Sequence, residues 1–554
     1  MNAAPAPRRG ILHSAGVVSA AVFLSRITGL VRETVMAGLF GAGQGMVYDA
    51  FLTGFRVPNL LRDLFGEGAL SSAFVPTFSQ YLATKGRREA AGLSNLVATM
   101  LVIVAGAICV AGIAFAPAYV RLIAPGFEEI PGKFELTVLL CRIMFPFLLL
   151  VALAAQAMGV LNACDRYGVP ALASTCFNVG SIICGLLLGL IAGRSWGWSL
   201  IVCMAIGVVI GGALQLLWQL PSVYRAGFAF RPRIDFHHPG LRRIARLMLP
   251  ALLGNGAVQI NVLVNTNLAS GIRDAAGHAI NGPVSWLGCA FRFMQFPLGL
   301  FGVAIATATL PAISRSAAMG RLDEFRATLA HSLGMVLLLT VPSAVGLAVL
   351  GESMIGAVYQ WHKFLPYDTH QTALALAWYS VGLAGYSAIK LLAPAFYALN
   401  DSRTPMLVSV ASIAVNFCAA YGLLHYARWG HAALALSTSL VALVGAAALF
   451  AALRARIHGL HGRSLTASAL KILAASAAMG AAAKVSSFAV HAAVHGQKLA
   501  QLTDIAISIP CAAAVFYGAA RWLRIPELHA AEAACYTAFR NASRPEVGDS
   551  PARS

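Results

Sequence analysis

FRVPNLLRDLFGEGALSSAFVPTFS, residues 55–79, and FRFMQFPLGLFGVAIATATLPAIS, residues 291–314, lie over each other at an offset of 236 residues. In each, Phe-Arg is followed nine residues after the arginine by Phe-Gly: Arg56 leads to Phe65 and Gly66, Arg292 to Phe301 and Gly302. A proline, Pro76 or Pro311, then closes the hydrophobic stretch, with a serine three residues further on. A second echo pairs LNACDRYGVPAL (161–172) with LNDSRTPML (399–407) at an offset of 238. Two echoes at nearly one offset report a single internal duplication, and its unit sets the architecture.

What is duplicated is a set of membrane helices. The chain has 554 residues, is 58% hydrophobic and 11% charged, and its mean hydropathy of +0.74 lies outside the range of soluble domains. Apolar runs such as LVATMLVIVAGAICVAGIAFA (96–116) and ALALSTSLVALVGAAALFAAL (433–453) are long enough to cross a bilayer. Strand alternation is absent, so the fold class is an all-α polytopic membrane protein with about 14 transmembrane helices. One repeat covers six spans, an even number, so the two copies share an orientation and form parallel lobes. The expected division is a cytoplasmic N-terminus (1–11), an N-lobe of spans 1 to 6 (12–220), a basic cytoplasmic linker (221–244) and a C-lobe of spans 7 to 12 (245–454). Spans 13 and 14 (455–523) stand outside the repeat, and a cytoplasmic tail follows (524–554).

The net charge of +19 accompanies no zinc-finger spacing or soluble basic domain, so no nucleic-acid partner is expected. Most of the 40 Lys and Arg instead fall on one side of the spans if Arg8 and Arg9 are cytoplasmic, which places both termini in the cytoplasm. Arg225, Arg231, Arg233, Arg242, Arg243 and Arg246 crowd the linker region and read as a topology anchor. The ten cysteines include no C-x-x-C pair, and His458 and His461 lack further ligands, so neither a disulfide framework nor a metal is expected. No cofactor is expected either.

Charges inside the apolar spans are the functional signal. Span 1 carries Arg26 and Arg32 in LSRITGLVRE (24–33), with Glu33 beside them. Six residues turn a helix by about 240°, so the two arginines leave different faces, and Gly29 between them is a place for a bend. Span 2 adds Asp49, Arg56, Asn59, Arg62, Asp63 and Glu67, and later spans add Arg142, Arg292 and Lys390. A charge facing lipid costs about 2.5 to 3.5 kcal/mol, so these groups must face water, substrate or each other. The carboxylates match four of the arginines, and the surplus of positive charge suits an anion. Arginine predominates, and its planar fork grips phosphate through paired hydrogen bonds.

Enzymatic signatures are missing. There is no G-x-x-x-x-G-K-[ST], no H-E-x-x-H, no G-x-S-x-G and no D-D-x-x-D, which leaves a membrane transferase on polyprenyl diphosphates only as an alternative. A scaffold for envelope synthesis would have no use for the buried arginines.

The run SRITGLVRE, then FGAG, YDAF, PNLLRDLFGEGALSSAFVPTF, SWLGCAFRFMQFPLGLFGVAIATATLP and KLLAPAFYALNDSRTP resembles the MurJ (MviN) family of bacterial lipid II flippases, within the multidrug/oligosaccharidyl-lipid/polysaccharide exporter superfamily. The resemblance covers about residues 10–460 and weakens over spans 13 and 14. It implies two six-helix lobes around a cationic cavity, in the bacterial inner membrane. It also implies movement of lipid II, the undecaprenyl-diphosphate-linked disaccharide-pentapeptide, from the cytoplasmic to the periplasmic leaflet by alternating access. Spans 13 and 14 would form a groove for the lipid tail. A coupling cation or the membrane potential, and membrane lipids, are the remaining partners. The family's essential positions map onto Ser25, Arg26, Gly29, Arg32, Asp49, Asn59, Arg62 and Arg292, with Arg56, Asp63, Glu67, Arg142 and Lys390 as auxiliaries. The chain departs from the family pattern at Phe291 and Gln295, where relatives often carry acids, and at Asp63, where a basic residue is frequent. A flippase for another polyprenyl-linked oligosaccharide is the nearest rival.

Overall fold

The computed structural model describes residues 8–43, 45–62, 70–274, 276–427, 429–460 and 462–533. Asp63 and Glu67 lie outside the described residues. In chain order the helices are α1 (Arg8–Phe40), α2 (Met46–Arg62), α3 (Leu70–Thr84), α4 (Gly86–Ala114), α5 (Ala116–Ile123), α6 (Lys133–Met144), α7 (Phe147–Ala163), α8 (Gly168–Trp196), α9 (Leu200–Arg225) and α10 (Pro239–Ser270). They continue as α11 (Pro283–Pro297), α12 (Ala304–Ala318), α13 (Leu322–Tyr359), α14 (Pro366–Val381), α15 (Leu383–Ala398), α16 (Arg403–His425), α17 (His431–Arg456), α18 (Gly462–Ala493) and α19 (Gln497–Trp522). The only β-bridge among the described residues is an isolated one between Arg273 and Ala279.

Among the described residues, ten segments are long and apolar enough to cross a membrane, and the pair α14 and α15, bent by 44°, makes eleven. The expected spans outside that set are α1, the pair α2 and α3, and α10. Arg26, Arg32 and Glu33 sit in the first of these and Asp49, Arg56 and Arg62 in the second.

The chain divides into two compact units: Met1–Cys289 with Val358–Thr369 and Ala420–Leu434, and Ala290–Ala357 with His370–Ala419 and Ala435–Ser554. This division falls inside α11 rather than at the linker 221–244, because α10 packs on α3, α4 and α5. Helix α10, expected from the sequence to open the C-lobe, is thereby grouped with the first unit.

In the first unit the core gathers Phe74 and Phe78 from α3, Leu93 and Val97 from α4, Leu148 and Ala152 from α7, and Ile244 from α10. In the second, Ile313, Phe325, Leu329, Leu391, Phe396 and Leu453 form the equivalent layer from α12, α13, α15 and α17. With no water between helices in a bilayer, such layers are held by close packing. The terminal hairpin α18–α19 joins this unit through Leu338, Ile472, Ala475 and Ala520. It is also tied to α13 by polar contacts. The fully buried Asp504 accepts hydrogen bonds from Ser353, from Ser487 at 2.8 Å and from Ser508 at 2.6 Å, and Lys498 donates to the Gly356 and Ala357 carbonyls at 2.8 Å each. Asp401 caps α16, accepting from the Arg403 and Thr404 amides at 3.0 and 3.1 Å and from Arg456.

Candidate functional site

The first unit separates the span 1 arginines as the helical phase requires. Arg26 is exposed. Arg32 is turned toward α8, its guanidinium 5.0 Å from the Phe177 ring centre and 4.0 Å from Glu33. Helix α1 runs without interruption through Gly29, whose open side faces Asn178: a methyl group there would lie 3.4 Å from Asn178 Nδ2. That amide donates to the Ser25 carbonyl at 3.1 Å. Ser25 and Gly29 thus help fix α1 against α8, which orients Arg32. In α2, Arg56, Asn59 and Arg62 are each half-buried. Arg142 is exposed and donates to the Ile113 carbonyl at 3.2 Å.

Asp49 differs from every arginine on the list. It is fully buried and both carboxylate oxygens are engaged: Oδ1 accepts from the Ser285 amide at 2.9 Å and hydroxyl at 2.5 Å, Oδ2 from the Gly282 amide at 2.8 Å and Lys133 Nζ at 3.0 Å. Lys133 is equally buried, donates to Asn281 at 2.9 Å, and lies 4.1 Å from the Phe127 ring centre. A second buried carboxylate closes the same end of the unit. Asp368 accepts from the Gly43 amide at 2.7 Å and Trp286 Nε1 at 2.9 Å, and reaches back to the Leu365 amide at 3.1 Å, the reciprocal half of a capping box on α14. Trp361 Nε1 donates to the Thr34 carbonyl at 3.0 Å and the Lys363 amide to the Gly38 carbonyl at 2.9 Å. Loops 41–45, 271–282 and 360–365 are thereby joined.

Sequence reasoning missed Lys133, Ser285 and Asp368. Each stands in the first turn of a helix, where a polar residue reads as a boundary; only the three-dimensional partner distinguishes it.

In the second unit Arg292 and Lys390 are exposed, on α11 and α15. Phe291, at a position where acids are frequent, packs edge-on to Tyr379 with ring centres 5.4 Å apart. Just beyond, α11 passes into a π-helical turn, Leu298–Val303, before α12 begins. Among the described residues no group of three or more His, Cys, Asp or Glu is arranged to hold a metal ion.

A sequence model of the family described as "Lipid II flippase MurJ" matches residues 36–502. Among curated proteins, the "Probable lipid II flippase MurJ" of Vibrio cholerae is 34% identical over 81% of this chain and 83% of its own length. The "Lipid II flippase MurJ" of Burkholderia cenocepacia is 34% identical over 79% and 83%, and the "Probable lipid II flippase MurJ" of Rhizobium meliloti 36% over 84% of each. A solved structure described as "Lipid II flippase MurJ, inward closed conformation" superposes with a TM-score of 0.72 at 25% identity, covering 91% of this chain and 99% of the other. An inward-facing MATE family transporter of the MOP superfamily shares the fold, with a TM-score of 0.64 at 14% identity over 81% and 99%.

Proposed function

Since the chain belongs to the lipid II flippase MurJ family, we propose that it carries lipid II across the bilayer, from the cytoplasmic to the periplasmic leaflet, in support of cell-wall synthesis. It is a multi-pass membrane transporter rather than an enzyme. The inner membrane, with both termini cytoplasmic, is the location that the charge asymmetry supports.

The observation that carries the reading to particular residues is the exposure of Arg26 on a helix of a membrane protein. A guanidinium held there needs an anion, and a diphosphate offers oxygens for paired hydrogen bonds. We assign phosphate binding to Arg26, Arg32, Arg62 and Arg292, with Ser25, Gly29 and Asn59 positioning them and Arg56, Arg142 and Lys390 adding positive potential. Asp49 takes another part in this reading. Saturated by donors, it holds shut the end of the first unit that carries loops 41–45, 271–282 and 360–365, and opening that end for release requires its contacts to part. Spans 13 and 14 offer the lipid tail a groove. The membrane potential or a coupling cation drives the cycle.

Vesicles containing only this protein and a fluorescent lipid II supply the test. Transbilayer movement that is lost in Arg292→Ala while the protein level is unchanged supports the assignment. Equal rates with and without the protein would overturn it, and movement of another polyprenyl-linked oligosaccharide in place of lipid II would reassign the substrate.

A further inference from the structure

The π turn at Leu298–Val303 has a local cause. Pro297 has no amide hydrogen to give to the helix, so the ladder is one bond short where the turn begins, and Gly299 and Gly302 leave the backbone after it lightly constrained. A π turn closes i→i+5 hydrogen bonds where an α-helix closes i→i+4, so it stores one residue in excess.

The turn packs against α15. Ser387 of α15 is fully buried and its hydroxyl has no hydrogen-bond partner among the described residues. A methyl group at Gly302 would lie 2.9 Å from that oxygen and 3.0 Å from the Ser387 Cβ, so only glycine lets the two backbones come this close. A buried hydroxyl left unpaired disfavours a state by roughly 5- to 100-fold. The present register therefore carries a cost at the point where span 8 carries its extra residue.

We propose that the π turn is a register switch that positions Arg292, with Ser387 as its counterpart on α15. In the present state the extra residue is absorbed locally, and α11 and α12 are phased as though it were absent. When the turn relaxes to α geometry, the Arg292 side of the helix rotates by about 100° and advances by about 1.5 Å relative to α12. The guanidinium then leaves span 8 on a different face, and the Ser387 hydroxyl donates to a carbonyl of the re-registered backbone. The Phe291–Tyr379 contact, 5.4 Å between ring centres, holds the first register and is broken in the second. Resting on the function proposed above, the two registers correspond to capture and release of the diphosphate.

Deleting Leu300 removes the excess residue and leaves α11 and α12 in their present phase, so Arg292 is frozen on one face. Full-length protein with that deletion is expected to bind fluorescent lipid II as the parent does and to flip it at least about 10-fold more slowly, with no loss of thermal stability. Ser387→Ala keeps the length but favours the π state, and flips about 5- to 100-fold more slowly. Register is read without substrate by spin labels at Gln295→Cys and Arg315→Cys in a background lacking the native cysteines. Two distance populations in the parent and one in the deletion are expected. One population in both, or a parental flipping rate in the deletion, would overturn the switch. A parent that shows two populations yet neither binds nor flips lipid II would count against the proposed substrate and leave the switch standing.

Discussion

Asp49 and Arg26 both put a formal charge into an apolar span, and in the sequence they look alike. In the structure they are opposites. Asp49 is fully buried with four donors on its two oxygens, whereas Arg26 is exposed. A charge surrounded by protein partners has its electrostatic cost met within the fold and contributes to shape. One left open is, on the function proposed above, available to an anion that arrives. The difference teaches that charges alike in sequence are told apart by how fully the fold has partnered them.

The comparison breaks most visibly in transport. Arg26→Ala and Arg292→Ala are expected to reduce flipping in vesicles by more than about 100-fold, the loss of a charge-assisted pair to phosphate amounting to about 3 kcal/mol, while melting temperature and membrane level stay as in the parent. Lysine at either position restores little, because it lacks the fork. A drop in stability equal to that of the Asp49 variants would erase the distinction.

Stability is where Asp49 should show its share. Lys133→Ala leaves a buried carboxylate without its cation and is expected to cost about 3–5 kcal/mol in unfolding. The double variant Asp49→Leu with Lys133→Met is expected to recover most of that, since no charge is then left alone. Additive losses in the double-mutant cycle would show that the pair is not coupled.

A smaller effect is expected at Asp368. Asp368→Asn keeps the shape and weakens the charge-assisted bonds to Gly43 and Trp286, for a loss of about 1–2 kcal/mol. Its sharper signature is faster hydrogen exchange at the Gly43 amide with no change at the Gly282 amide, which belongs to Asp49.

Asp401 supplies the mildest case. The Thr404 amide and hydroxyl, with the Arg456 guanidinium beside them, lower its carboxyl below the ordinary value. A folded value below the unfolded one gives stability that is present above the unfolded value of about 4 and lost as pH falls through the folded one. Asp401→Asn should therefore melt below the parent at neutral pH, with the gap narrowing under acid. A gap independent of pH would assign the effect to shape instead of charge.

Much of this was legible in the sequence. The apolar runs gave the helices, and Arg26 and Arg32 diverge in the structure as six residues of helix require. Asp401 is a cap of the kind a sequence can show, because its partners, the Arg403 and Thr404 amides, are local. Ser25 and Gly29 were marked by the family resemblance, and Gly29 meets Asn178 instead of interrupting the helix, a contact that leaves no local pattern. The same reason hid the Asp49–Lys133 pair, 84 residues apart, and the Asp368–Gly43 bond, 325 apart. The π turn was hidden differently: Pro297 announces a weak ladder, and nothing in the hydrophobic period says that one residue is stored there. The placement of Phe291 against Tyr379 gives physical content to a departure from the family pattern that the sequence could only note.

The Asp504 contacts have a consequence in time. Ser353 leaves the ribosome 151 residues before the carboxylate it bonds, a delay of roughly 8 to 30 seconds at ordinary synthesis rates. Throughout that interval the end of α13 has neither Asp504 nor Lys498, whose ammonium group serves the Gly356 and Ala357 carbonyls. The terminal hairpin is thus the last piece needed to finish a helix made much earlier, and a chain stopped before Gln497 would reach the bilayer with the end of α13 lacking these partners.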